Sequence, residues 1–370
     1  MTGNSWLRGM AVTLWLCIAL PLPAQTPARL FPIRHGDLHG LIDAKGRVVV
    51  PPEFEELKIG DPLILVRKSA RTAYMDQDGT MAIAPQADLR LPFAEGLTPA
   101  PLPDRQGRTR WGYVDPARKV VIEPAFAHAE GFADGLAVVG VEDAWGAIRY
   151  GAIDRKGNWV LQPVHDKIVP HSGGVLRVES KGRTHRAYDR NGKDITPEGV
   201  DFVGITSEGM VRIWSARKQG FMTAAGDVVV RPKYESASDF RDGMARVWVE
   251  GKIGFIDTRG RLAVAAVWDA AEDFSDGVAL VKNGDRPVYL DREGKVVLQV
   301  EAERAYPFSE GLAVVRRGGK YGFIDRAGKA VIEPGFDFAR PFKHGLAFVT
   351  QGRVSGYVTP SGQFVWSSQR

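Results

Sequence analysis

Residues 311–342 read GLAVVRRGGKYGFIDRAGKAVIEPGFDFARPF, and another Gly-Leu-Ala follows at 345–347. Three short apolar runs stand out: LAVV, YGFID and KAVIEP. Each is bounded by Gly, Asp or Pro, and each is too short for a helix, so the stretch reads as strands joined by turns. The second and third runs are separated by Asp325-Arg326-Ala327-Gly328. An Asp side chain there accepts hydrogen bonds from turn amides, and Gly takes the positive φ that closes a hairpin.

The same unit recurs outward in both directions. An Asp after an apolar run stands at Asp43, Asp76, Asp115, Asp154, Asp189, Asp257, Asp291 and Asp325, with Thr223 and Thr359 in the equivalent place. The spacing gives about ten repeats of roughly 34 residues. Glycine follows three residues later at Gly46, Gly79, Gly157, Gly192, Gly226, Gly260, Gly294, Gly328 and Gly362, whereas Arg118 breaks the rule in DPARK. A proline beyond the marker (Pro52, Pro85, Pro124, Pro163, Pro232, Pro334) is expected to end the ladder, because it has no amide donor. Each unit then closes on Phe-x-x-Gly-Leu or a variant, as around Phe93, Phe132, Phe240, Phe274, Phe308 and Phe342.

Three strands per unit follow, with apolar residues on both faces. Alternate residues point to opposite faces, so each unit must be covered on both sides by its neighbours. A chain of 370 residues also exceeds what one core can serve, and 42 Gly with 23 Pro disfavour helices. The fold expected is all-β: tandem three-stranded repeats forming an open curved array. A propeller-like closed ring is the alternative. The open form is preferred because propellers usually have four to eight four-stranded blades.

With the aromatic-Gly pair before the marker, Trp111-Gly112 and Tyr321-Gly322, and Ile253-Gly254 as a weaker form, the chain resembles the bacterial WG-repeat (KWG-repeat) proteins. The resemblance extends from about residue 28 to 366 and is weakest between 164 and 209, where His165 and His171 replace aromatics. It implies repeated β structure and interaction roles, and it supplies no catalytic residues.

The first residues, MTGNSWLRGMAVTLWLCIALPLPAQ, carry Arg8, an apolar run of about 12 residues and a small residue suited to cleavage. They read as a secretory signal peptide over 1–24, with an uncleaved anchor as the alternative. Export to the periplasm or beyond follows, with no membrane span after cleavage. The only cysteine, Cys17, lies inside the leader, so the mature chain has no disulfide or thiolate chemistry. Residues 25–210 form irregular repeats, 211–366 regular ones and 367–370 a tail, and the two halves are candidates for separate rigid bodies.

No nucleophile elbow, zinc-protease helix, phosphate loop or dinucleotide fingerprint is present. The repeated Asp set resembles a calcium ladder, but Thr can replace the Asp, which suits turn capping better than metal ligation. Asp43, Asp115, Asp154, Asp257, Asp291 and Asp325, with Gly157, Gly260, Gly294 and Gly328, are therefore read as structural turns. His35 and His39 in HGDLHG have a spacing open to metal, but His39 stands where other units place a packed ring. No metal, cofactor or catalytic set is assigned.

Basic residues gather at the tip between the first and second strands of a unit: Lys68 and Arg71; Arg105, Arg108 and Arg110; Lys181, Arg183 and Arg186; Arg217 and Lys218; Arg316, Arg317 and Lys320. Stacked, these tips form a basic ridge, with Glu and Asp clustered on a different edge after the third strand. The net charge of +5 then understates the separation. The expected function is an exported, non-catalytic scaffold whose ridge takes an acidic protein or another anionic envelope component, and not nucleic acid. An envelope polysaccharide hydrolase or lyase and a structural spacer are the alternatives.

Overall fold

The structure is a computed structural model describing residues 29–86, 91–171, 173–180, 184–284 and 286–369. Residues 1–24, where a signal peptide is expected, lie outside these. The described residues form ten small antiparallel sheets in chain order and no helix. We number these blades 1 to 10; blade 1 is built on Phe31–His35, Leu38–Ile42 and Val48–Phe54, and blade 10 ends with Phe364–Gln369.

Most blades have four strands where the sequence suggested three. In blade 9 these are Arg304–Ser309, Leu312–Arg317, Lys320–Ile324 and Ala330–Phe336. The extra strand is the first, formed by the segment just after the preceding blade's last strand. In blade 8 it is only Ala270–Ala271, paired with Lys282 and Val281. Two residues are too few to show a period.

The marker turns have the expected geometry. Asp325 Oδ1 accepts the amides of Ala327 and Lys329 at 2.9 Å each, and the Gly328 amide donates to the Asp325 carbonyl at 3.0 Å. Asp43, Asp154, Asp257 and Asp291 repeat the pair of bonds, and Asp115 accepts from Lys119. Thr359 Oγ1 accepts from Gln363 at 3.3 Å in the same place. The DPARK turn closes alike, with Arg118 at φ 64° donating to the Asp115 carbonyl at 2.8 Å.

Proline does not end the ladder. Between the pairs Phe323↔Ile332 and Tyr321↔Phe336 the fourth strand carries two extra residues, so Pro334 lies in a bulge where its missing donor is harmless. The bulge presses on the third strand at the family-type glycine: a Cβ on Gly322 would lie 2.5 Å from the Ile332 carbonyl oxygen. Only glycine permits that approach.

Neighbouring blades cover each other. One cluster joins Leu312, Val314, Phe323 and Phe336 of blade 9 to Phe342, Ala347, Val349 and Val358 of blade 10. The Phe323 and Phe342 rings meet at 4.8 Å; Phe255 with Phe274 and Tyr113 with Phe132 repeat the contact at 4.9 Å. Another cluster links Val175 and Ala187 to Val203, Val211 and Met222, so packing continues across residue 210. A hydrogen-bond belt adds to this. Glu310, at φ 55°, accepts the amides of His344 and Gly345 in the next blade, Asp276 accepts from Gly311 at 2.7 Å, and Glu208 accepts from Asp242 and Gly243.

The array closes, which is the alternative arrangement rather than the preferred open one. Phe31 and Ile33 of blade 1 share a buried cluster with Leu346 and Tyr357 of blade 10. The Tyr357 hydroxyl donates to the Pro32 carbonyl at 2.8 Å. A Cβ on Gly46 would lie 2.0 Å from the Val365 carbonyl oxygen, matching Gly79 against Val49 at 2.1 Å in the joint of blades 1 and 2. The result is a ring of ten blades. No strand is shared across its seam among the described residues; side-chain packing and the Tyr357 hydrogen bond seal it.

Candidate functional site

The side chains the repeat does not consume lie at the hairpin tips between second and third strands and at the seam. At the tips the expected split into a basic and an acidic edge is absent. Carboxylates in or just after several last strands reach the basic tips. Glu53 meets Lys68 at 2.8 Å, Glu303 meets Arg316 at 3.3 Å, and Asp337 pairs with Lys320. Arg110 reaches Glu142 at 3.0 Å, Arg108 reaches Asp104 at 2.8 Å, and Arg186 pairs with Asp194. Arg317 donates to the Glu301 carbonyl at 2.9 Å.

These pairs have electrostatic consequences. Hydrogen bonding from Lys320 holds Asp337 below the usual carboxylate range, Lys252 does the same to Asp269, and Arg110 to Glu142. The pairs are exposed, so each contributes little to stability. Arg105, Arg217 and Lys218 are exposed, while Lys181 and Arg183 lie outside the described residues. Six of the eleven described tip residues therefore sit beside carboxylates, and the edge is of mixed charge.

Blade 4 departs most visibly. Its tip between Leu136–Glu142 and Ile148–Asp154 holds a second Asp-x-x-Gly turn, in which Asp143 accepts from Trp145 and Ala147 at 2.9 Å each. That turn lifts Trp145 into solvent at 87% exposure, far above the usual burial of a tryptophan. On the same blade Ile148 is 40% and Val164 67% exposed. The sequence signal was VEDAWG, legible as an interruption of the basic tips but not as a raised aromatic.

The second departure is at the seam. A cleft of about 830 Å³ opens there, lined by Arg34, His35 and His39 of blade 1 and by Arg340, Ser355, Tyr357 and Trp366 of blade 10, among others. His39 takes the ring position of the repeat, as expected, and is half-buried at the edge of this cleft. Burial raises the Tyr357 hydroxyl above its ordinary value, against the opposing pull of Arg340, so it stays a hydrogen-bond donor at neutral pH.

Ten tandem units, seven of them four-stranded among the described residues, close into a ring and define a repeat β-propeller. The chain belongs to the family of WG-containing repeat proteins, whose repeat matches residues 40–68, 111–145, 150–183, 220–252, 253–286, 289–321 and 321–353. No curated protein matches it. Among solved structures it is similar to Kluyveromyces lactis Hsv2, at 8% identity over 60% of this chain and 89% of that one, TM-score 0.31. It is also similar to the extracellular domain of the putative hybrid two-component system BT3049 from B. thetaiotaomicron. That likeness has 12% identity and a TM-score of 0.25 over 93% of this chain and 65% of the other, so this chain spans less than two thirds of that domain.

Proposed function

We propose that this protein is an exported, non-catalytic interaction scaffold of the cell envelope. The leader-like residues 1–24 support export. The recurrent carboxylates support a structural rather than chemical use of the repeat, since turn amides, belt amides and tip cations each take their share of them. The observation that carries the reading is Trp145, an aromatic held in water on a hydrogen-bonded turn beside the Arg149–Asp143 pair. Exposed Trp with neighbouring Arg is the composition of a protein-binding anchor.

A photo-crosslinking residue placed at 145 tests this in the producing cell, with Val228, exposed on blade 6, as control. A discrete adduct at 145 and none at 228 is expected. No adduct at either position, or the same adducts at both, would refute an anchored partner.

A further inference from the structure

Among the described residues, the seam lacks a part that most blades possess. Eight of the ten sheets carry a first strand beside their second, and blade 1 has none among the described residues. In blade 10 that strand is Phe338–Ala339. Just before it, the Asp337 amide donates to the Thr350 carbonyl at 2.8 Å, and the Asp337 carboxylate accepts the Gly352 amide at 2.6 Å. Glu303 does the same in blade 9, with the Arg316 carbonyl at 2.9 Å and the Gly319 amide at 3.0 Å. Asp269 repeats it in blade 8, at 3.1 Å and 3.3 Å. The filler of the slot thus reads acidic residue, any residue, alanine: Asp337-Phe338-Ala339, Glu303-Arg304-Ala305, Asp269-Ala270-Ala271.

Counting from the marker turns, Arg34 of blade 1 stands in the place of Thr350, and Gly36 in that of Gly352. Both line the seam cleft. Ser355 stands where blade 9 has Tyr321, so the ring that would fill this space is missing. Ser355 is 6% exposed, and its Oγ is buried without a hydrogen-bond partner. Arg34 and Arg340 give the mouth the charge that an acidic residue seeks.

We propose that the seam cleft is a peptide slot, which takes an extended segment of the pattern acidic-x-small as the missing first strand of blade 1. The amide of its acidic residue donates to the Arg34 carbonyl, its carboxylate faces the Gly36 amide and Arg34, and its small residue rests beside Ile33. This is strand addition at a free sheet edge, in which backbone bonds give affinity and alternate side chains give selectivity. It deepens the scaffold reading by naming a partner chemistry.

The probe is a fluorescein-labelled peptide copying residues 334–342, PGFDFARPF, titrated into the purified full chain and read by anisotropy. Saturable one-to-one binding is expected. N-methylation of the peptide's Asp amide, Ser355→Tyr and Arg34→Glu should each weaken it by about tenfold or more. Ser355→Tyr installs the residue blade 9 already has. Arg34 is exposed, so Arg34→Glu keeps the test alive should the first variant misfold. Absence of saturation overturns the proposal. So does equal binding of a scrambled peptide of the same charge, or of the N-methylated one, which would mean charge attraction without strand addition. Neither result bears on the Trp145 adduct, so failure here and failure of the scaffold reading are distinguishable.

Discussion

The joint between blades 9 and 10 and the seam between blades 10 and 1 solve one packing problem with different parts. In the ordinary joint Phe323 meets Phe342 from the next blade's Phe-x-x-Gly turn, and the chain runs straight from one blade into the other. At the seam the described residues hold no such turn to offer a ring. Phe31 supplies it from the second strand instead, at 5.4 Å from Tyr357, in a position where other units have Ala137, Ala245, Ala279, Ala313 or Ala347. One side chain enlarged within a repeat replaces the ring of that turn.

The largest expected effect is in these rings. Phe342→Ala and Phe31→Ala should each cost about 3–5 kcal/mol in denaturant unfolding, the usual range for emptying a packed aromatic site. Only Phe31→Ala should also raise the radius of gyration in small-angle scattering, because no strand crosses the seam. Equal expansion in both variants would erase the distinction between the two joints.

The belt comes next. Glu310→Ala removes a carboxylate that receives two amides of blade 10, and a loss of about 1.5–3 kcal/mol is expected for charge-assisted bonds. His344 holds the equivalent place beside the seam, at φ 57° and with its ring 6.5 Å from Phe31. His344→Ala should therefore cost less, and calorimetry of the two variants compares them directly. At the turns, Asp325→Ala should cost about 1 kcal/mol, whereas Thr359→Asp should gain a few tenths.

The smallest effect concerns pH. Burial holds His165 and His185 below their ordinary value of 6.5. The unfolded chain therefore takes up protons first, and the stability from these neutral rings is full above pH 6.5 and falls as pH drops through that value. His165 packs on Tyr188 and His185 on Phe202. Thermal melts between pH 7.5 and 5.5 should show a loss that the His165→Phe, His185→Phe double variant reduces.

Much of the blade was legible. Hairpins, marker turns and mutual covering follow from Asp, Gly and alternating apolar residues close in sequence. What escaped depends on residues far apart or on segments too short to pattern. The first strands are as short as Ala270–Ala271. The basic tips meet carboxylates placed by the next turn of the chain, as Lys320 meets Asp337, so composition by segment suggested separated edges. Closure was hidden in two substitutions, Phe31 for alanine and Ser355 for an aromatic. Both break the repeat, and both lie at the seam.

The closed ring is tested most directly by energy transfer between dyes on Lys45→Cys and Ser367→Cys in a Cys17→Ser background, since Cys17 is the only native cysteine. Closure predicts a separation below about 30 Å, whereas ten sheets stacked openly at about 10 Å each would hold the labels about 90 Å apart. High transfer that collapses in denaturant supports the ring; low transfer in the native state would contradict it.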